Sequence, residues 1–212
     1  MDKLHLDAET VPPTRRQVYA PWLTLVSKMQ AMGLLGSTQT YDLTPKAVRR
    51  ALDALERRGI LRVQRPMLEQ LLELPISQEP SVATVAALHD AIDILENSPT
   101  PDAEWRSMRE ILGDQVLAEL IGVSPSSVKR YANEERTASD DIADRLHFVA
   151  MVIADLTGSY NELGIRRWFE RPRAQLSGKS PRQALGERWQ SATPAAVRVR
   201  ELARSLVAGG GT

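Results

Sequence analysis

The chain has 212 residues, of which 42% are apolar and 25% charged, a balance that excludes the disordered and membrane classes of protein. It contains no cysteine, so disulfides, thiolate metal sites and a cysteine nucleophile are excluded as well. Its 27 basic and 27 acidic residues cancel, which taken alone argues against a nucleic-acid binder. No basic-then-apolar leader opens the sequence, and no apolar run approaches the roughly 18 residues of a membrane span. We therefore expect a cytoplasmic protein with no membrane partner.

The charges are segregated along the chain. In each of the ranges 44–66 and 166–188, seven basic residues face two acidic ones, while acidic residues are concentrated between Glu69 and Glu110. Local fields rather than the total charge govern the encounter with a polyanion. The two basic segments therefore remain candidates for contact with an anionic partner.

The N-terminal part of the chain has helical patterns after a proline-rich start. The pair Pro12-Pro13 favours an extended, flexible arm over residues 1–13. Apolar residues at helical spacing then predict a helix between Tyr19 and Leu35, with Gly33 at its exit.

A second predicted helix begins at Thr44-Pro45, a hydroxyl cap followed by a proline, and ends at Gly59. The run Ile60 to Val63 then has the composition of a short strand, and helix, glycine and strand in that order are typical of a winged-helix-like element. In that interpretation Arg49, Arg50 and Arg62 are a second set of DNA-binding candidates. The alternative is an amphipathic helix with a solvated arginine face, followed by a connector.

Two more helices are predicted before a clear break in the chain. They cover Pro66 to Leu74 and Val82 to Leu95, with a linker from Pro75 to Ser81. The segment Asn97 to Pro101 contains two prolines and small polar residues, which end a helix. We place the main domain boundary there, so residues 14–98 form a helical N-terminal domain that serves either DNA binding or dimerisation.

The segment that follows, residues 102–158, predicts a helix-turn-helix domain. Such a motif requires a small residue where the helices cross and a left-handed glycine between them, which Ala118 and Gly122 supply. Ser124 and Pro125 then cap and start the second helix. Apolar residues occupy the offsets that hold the two helices at an angle: Leu117, Ile121, Val123, Val128 and Tyr131.

The second helix of this motif carries the residue types that read DNA. Arginine and lysine donate to guanine or phosphate, asparagine pairs with adenine, and serine serves either role. The predicted DNA-binding residues are Ser124, Ser126, Ser127, Lys129, Arg130 and Asn133. The structural alternative is a helical hairpin whose serines only cap and whose cations are solvated. An apolar helix from Ser139 to Leu156 is expected to brace the motif.

The C-terminal segment carries a series of aromatic, proline, glycine and leucine residues. In order they are Trp168, Phe169, Pro172, Leu176, Gly178, Ser180, Pro181 and Leu185. Placed after a helix-turn-helix, this series resembles the toxin-binding domain of the Xre/MbcA/ParS antitoxin family, over about residues 108–207. The residues before Pro101 have no counterpart in that resemblance, and the family's glycine-rich turn is reduced here to Gly186–Trp189.

The resemblance implies a homodimeric antitoxin that represses its own operator and covers the active site of a toxin of the RES type, which degrades NAD. Residues 159–207 would form the toxin-binding domain, with residues 208–212 as a disordered tail. The aromatic pair is expected to be exposed. The partner-binding residues implied by position are Trp168, Phe169, Arg173, Leu176, Ser180, Arg198, Glu201 and Arg204.

Two other classes of function are the alternatives to an antitoxin. An enzyme is not expected, because His5, His89 and His147 lie far apart and the sequence has no phosphate-cradling glycine loop. We accordingly expect no catalytic residue, cofactor or metal. A stand-alone transcription or DNA-organising factor shares the DNA-binding prediction and lacks a toxin partner. The fold class predicted in all cases is mainly α, with a helical N-terminal region, a helix-turn-helix bundle and a small helical C-terminal domain.

Overall fold

The computed structural model describes residues 16–36, 42–73 and 78–209, and within these ranges it contains helices and no strand. The mainly α prediction is confirmed. The predicted arm lies outside the described residues. The α-helices are α1 (Arg16–Ala31), α2 (Pro45–Arg57), α3 (Arg65–Glu73), α4 (Val82–Glu96), α5 (Pro101–Ile121), α6 (Pro125–Ala132), α7 (Asp140–Thr157), α8 (Glu162–Glu170), α9 (Pro181–Leu185) and α10 (Pro194–Gly209), and a 3₁₀ helix covers Ala174–Leu176.

The chain divides into two compact units. The first, here called the N-terminal unit, comprises residues 1–26 and 38–97, and the second, the C-terminal unit, comprises residues 27–37 and 98–212. The division after Asn97 falls in the predicted break. Two boundaries differ from those expected from the sequence: residues 27–37 belong with the C-terminal unit, and residues 102–158 and 159–207 form one unit rather than two.

In the N-terminal unit, α2 packs against α3 and α3 against α4. The side chain of Thr44 accepts a hydrogen bond from the Ala47 amide at 3.3 Å, and a proline fills the first position of α2. This start and the end of the helix before Gly59 agree with the sequence prediction. The buried face of α2 consists of Ala47, Val48, Ala51, Leu52, Ala54 and Leu55.

The strand expected after Gly59 is absent, so this region does not form the winged-helix-like element. Residues 62–64 form a turn that leads directly into α3. Gly59 and Leu61 have positive φ angles of 69° and 66°, and two left-handed residues so close together reverse the chain instead of extending it. The alternative weighed above, an amphipathic helix followed by a connector, describes this region.

The C-terminal unit is built around α7, which is buried along most of its length. Helices α5 and α10 pack against it. The buried His147 of α7 lies with its Nδ1 2.7 Å from Oε1 of Glu104 in α5, a side chain with 0% exposure. His147 is thus a satisfied core residue, and the pair fixes α5 against α7.

Helix α5 is interrupted once, and α10 reaches the last described residue. Gly113 has φ 77° and ψ 164°, a conformation outside the helical range, so the chain bends there before the helix resumes at Asp114. Helix α10 continues through Gly209, which corrects the predicted start of the tail at residue 208. Among the described residues, no helix is long and apolar enough to cross a membrane.

Candidate nucleic-acid interface

Two helices meet at Gly122 in the arrangement predicted for a helix-turn-helix. The first is the part of α5 after Gly113, and the second is α6. Gly122 has φ 75° and ψ 42°, the left-handed conformation that lets the chain turn between them. Ser124 accepts a hydrogen bond from the Ser127 amide at 3.1 Å, and Pro125 starts α6. The predicted left-handed glycine and Ser-Pro start are both confirmed.

The apolar positions that fix the angle between these helices are buried. Tyr131 stacks on Trp105 of α5 with ring centroids 4.9 Å apart, and Val123 is half-buried. The side chains exposed by 4% or less are Leu117, Ala118, Ile121, Val128 and Tyr131. One side of α6 is therefore held by apolar contacts, as the predicted offsets required.

The opposite side of α6 is open to solvent. The exposed residues among the predicted DNA-binding set are Ser124, Ser126, Lys129, Arg130 and Asn133, and Ser127 is half-buried. The Lys129 side chain is 61% exposed. No ion pair within the described ranges involves Arg130. The surface is that of a short helix with cations and hydroxyls on its outer face.

The three serines at the start of α6 have separate roles. The hydroxyl of Ser124 lies 2.9 Å from the hydroxyls of both Ser126 and Ser127, in addition to its bond with the Ser127 amide. Its hydrogen-bonding capacity is therefore used in ordering the first turn. We assign Ser124 a capping role, which leaves Ser126 as the exposed serine whose hydroxyl accepts no backbone hydrogen bond from the described residues.

A carboxylate lies beside the outer face of α6. Oδ1 of Asp114 accepts a hydrogen bond from Nε of Arg109 at 2.7 Å, and its Oδ2 lies 3.7 Å from Nζ of Lys129. The hydrogen bond from Arg109, together with the charges of both cations, holds the pKa of Asp114 below its ordinary value of 3.8. Lys129 is thus paired within the chain, and any phosphate must compete with Asp114 for it.

We expect Asp114→Asn to make the stability of the protein less sensitive to acid. Because the pKa of Asp114 is lower in the folded state, its carboxylate stabilises the fold above about pH 4, and this contribution is lost as the pH falls below that value. The effect should be no more than about 1 kcal/mol, since the ion pairs are open to solvent. Urea unfolding at about pH 3 and about pH 7 measures it. An equal change in stability between the two pH values in the variant and the unmodified protein would contradict this role of Asp114.

Acidic residues follow α6 directly, and each has a partner. Asn133 is the C-cap of α6, and its amide donates to Oε1 of Glu135 at 3.1 Å. Glu134 forms an ion pair with Arg106. This bond uses one of the two N–H groups of the Asn133 amide.

The second candidate set lies on α2 and in the turn after it. Arg49 and Arg50 are exposed and line an open concave surface at the start of α2. Arg62 lies in the following turn, where its guanidinium is beside Gly59. The structure thus brings Arg49 and Arg50 together at the start of α2 and places Arg62 in the turn after the helix.

The expectation that Trp168 and Phe169 are exposed is wrong. They are 1% and 0% exposed, and their rings pack edge to face with centroids 5.2 Å apart. Leu176 and Ser180 are buried as well. The reason is the amphipathic pattern of α8, which puts Ile165 on the same side as the aromatic pair, against α5 and α9. These residues form the core of the C-terminal unit.

The remaining partner candidates lie at the surface. Arg198, Glu201 and Arg204 are exposed on α10, and Nε of Arg204 lies 3.7 Å from Oδ2 of Asp155. Arg173 is half-buried, with its guanidinium carbon 5.6 Å from the ring centre of Trp168. The outer face of α10 is therefore the part of the predicted partner surface that a second protein can reach.

Part of the basic charge between residues 166 and 188 is used within the fold. Arg166 donates to the backbone carbonyls of Ile111 and Glu110, where the first part of α5 ends. Arg182 pairs with Glu119. The hydrogen bond from Gln115 and the charge of Arg182 lower the pKa of Glu119. Both arginines therefore contact α5, the helix that precedes α6.

A segment whose role the sequence did not predict lies over the turn between α5 and α6. Nε1 of Trp189 donates to the carbonyl oxygen of Leu120 at 2.8 Å, and its ring packs against Phe148 at 4.9 Å between centroids. The Glu187 carbonyl comes so close to Gly122 that an added Cβ would lie within 3.0 Å of it. The sequence feature that could have indicated this contact is Trp189, an aromatic residue in a polar connector.

Comparison with known proteins returned no matching family model, no matching curated protein and no matching solved structure. Within the described ranges, no group of three or more histidine, aspartate or glutamate residues is arranged to hold a metal ion.

Proposed function

We propose that this protein is a DNA-binding regulator that inserts α6 into the major groove, and that it acts as a self-repressing antitoxin in the cytoplasm. The observation that supports DNA binding is the outer face of α6, where Ser126, Lys129 and Arg130 are exposed while the opposite face is buried. The major groove admits an α-helix, and these side chains match the groups it presents. The left-handed turn at Gly122 gives α6 its angle to the preceding helix.

The double variant Lys129→Ala, Arg130→Ala is expected to weaken DNA binding about 10- to 100-fold, because it removes one base or phosphate contact and one phosphate contact. The slope of log affinity against log salt should become shallower by about 1 if one of the two cations contacts phosphate and by about 2 if both do. Fluorescence anisotropy with duplex DNA from upstream of the protein's own gene, at several salt concentrations, measures both. Circular dichroism should be unchanged because both side chains are exposed.

Unaltered affinity in this double variant would rule out α6 as the reading helix. A control is the triple variant Arg167→Gln, Arg171→Gln, Lys179→Gln, here called the C-terminal charge variant. Its three cations are exposed and lie outside α6. As an antitoxin the protein should keep its DNA affinity in this control.

The antitoxin part of the proposal is supported by the resemblance of the C-terminal residues to the Xre/MbcA/ParS family. Because the aromatic pair is buried, we assign toxin contact to the outer face of α10, with Arg198, Glu201 and Arg204. The proposed toxin is of the RES type, and the proposed assembly is a homodimer on an operator. Arg198→Ala with Glu201→Ala should reduce co-purification and neutralisation of a co-expressed neighbouring-gene product while leaving DNA affinity intact.

The burial of Trp168, Phe169, Leu176 and Ser180 favours one alternative, a stand-alone regulator whose C-terminal segment only braces the helix-turn-helix. That alternative predicts salt-sensitive loss of DNA binding in the C-terminal charge variant and no effect of the α10 substitutions on the survival of cells. The two functions therefore give opposite results in the same pair of experiments.

A further inference from the structure

The exposed face of α2 carries a row of cations. Successive residues of an α-helix are about 100° apart, so positions 46, 49, 50, 53 and 57 project from one side. The buried side, with Val48 and Leu55, lies opposite. The four cations on this face are all exposed, and together they are called the α2 stripe: Lys46, Arg49, Arg50 and Arg57.

The acidic residues of α2 are bound by a cation from outside the stripe. Arg65, at the start of α3, lies 3.5 Å from Asp53 and 2.5 Å from Glu56. It also donates to Glu69 within α3 at 2.8 Å. Residues 44–66 still carry seven basic and two acidic residues with Arg65 included, so the surface remains strongly positive.

The shape at the start of the stripe suits an extended anion. Pro45, Lys46, Arg49, Arg50 and Asp53 line an open concave surface over the first turns of α2. The stripe runs for eleven residue steps, or about 16 Å at 1.5 Å per residue. A DNA duplex presents one phosphate charge per about 1.7 Å of its axis, so a row of this length meets several phosphates at once.

The composition of the stripe selects among anionic partners. It has no aromatic side chain on which an unpaired base could stack, which argues against a single-stranded ligand. It has no apolar residue available for a lipid bilayer, since the apolar side of α2 is buried. The stripe has no asparagine or glutamine to pair with adenine, and cations spread along an exposed helix face contact phosphate oxygens, which supply affinity without sequence information.

We propose that the α2 stripe is a second DNA-binding surface, one that holds the backbone of duplex DNA independently of sequence. This inference extends the proposed function, in which α6 supplies sequence discrimination, but its cations belong to a different unit of the chain. Two surfaces on one chain raise the effective concentration of each for the same duplex. The stripe thus adds affinity and salt dependence to those of α6, and α6 alone supplies choice of site.

The test is a stripe variant, Lys46→Gln, Arg49→Gln, Arg57→Gln, measured by anisotropy on a short duplex of arbitrary sequence at several salt concentrations. Glutamine keeps a helix propensity close to that of the residues it replaces. The salt slope should become shallower by about 2.7, for three lost phosphate contacts. The charge-conserving variant Arg49→Lys, Arg57→Lys should retain the slope of the unmodified protein.

The matched control is the C-terminal charge variant, which loses the same charge from the other unit and should retain the slope. An unchanged slope in the stripe variant overturns the inference, and so does an equal change in the stripe and C-terminal charge variants, because total charge would then govern binding. The Lys129→Ala, Arg130→Ala variant separates the two proposals. Suppose that the Lys129→Ala, Arg130→Ala variant still prefers upstream to arbitrary DNA as strongly as the unmodified protein does, while the stripe variant loses affinity. The proposed role of α6 in reading the sequence would then be wrong, and DNA binding by the α2 stripe would be supported.

Discussion

Gly122→Ala is expected to destabilise the C-terminal unit by about 2–5 kcal/mol, because a side chain at this position meets two separate penalties. The left-handed conformation at φ 75° disfavours any residue with a Cβ. The added Cβ would also lie closer than 3.0 Å to the backbone carbonyl of Glu187. A flexible side chain could move away from such a contact, but a carbonyl group cannot move without shifting the backbone. The turn between the two helices must therefore shift or unfold.

A second glycine separates these two penalties. Gly178 has φ 78°, and a Cβ added there meets no atom within 4 Å. Gly178→Ala should therefore cost only the conformational part, about 1–2 kcal/mol. Urea unfolding followed by tryptophan fluorescence compares the variants, because Trp105, Trp168 and Trp189 all lie in the C-terminal unit. Equal losses in the two variants would contradict the close approach of Glu187 to the turn.

The same substitution should affect DNA binding. A shift of the chain at Gly122 changes the angle between α6 and the preceding helix, and α6 must enter the groove at that angle. Anisotropy on the upstream duplex, at a temperature where Gly122→Ala is still folded, should show weaker binding than Gly178→Ala. Preserved affinity would mean that the turn tolerates adjustment without moving α6.

The features that the sequence predicted correctly are those that depend on residues close together in the chain. A cap is decided by one hydroxyl and the amides three positions later, as at Thr44 and Ser124. The left-handed glycine at Gly122 is likewise a local requirement of the backbone. For this reason the bounds of α2 and the arrangement around α6 followed from the sequence.

The features that the sequence did not predict depend on residues far apart in the chain. The run Ile60 to Val63 has strand composition, but a strand needs a neighbouring strand, and the described residues provide none. The aromatic pair of α8 is apolar on any interpretation, and its burial depends on contact with α5, a helix that ends at Ile121, far from the pair in the sequence. The local pattern predicts that such residues are buried, but it does not identify the residues that cover them.

Trp189→Ala is expected to cost about 3–5 kcal/mol, the usual loss when a buried aromatic ring is removed. Its indole is 4% exposed and packs against Phe148 of α7. It also donates to the carbonyl of Leu120, 69 positions earlier, in the last turn of the helix that precedes α6. Removing the ring therefore opens a cavity and leaves that carbonyl without its donor.

The hydrogen bond can be isolated by comparing two tryptophans. Trp189→Phe keeps much of the ring and loses the bond to Leu120, for an expected cost of about 1–3 kcal/mol beyond the change in volume. Trp168→Phe is the matched control, since Trp168 is equally buried and its Nε1 has no acceptor among the described residues. Amide hydrogen exchange should become faster in α6 in the Trp189 variant and stay slow in the control. If both variants exchange alike, the connector from Gly186 to Trp189 packs on the turn without stabilising it, and the geometry of α6 is set by the apolar contacts of α5 and α6 alone.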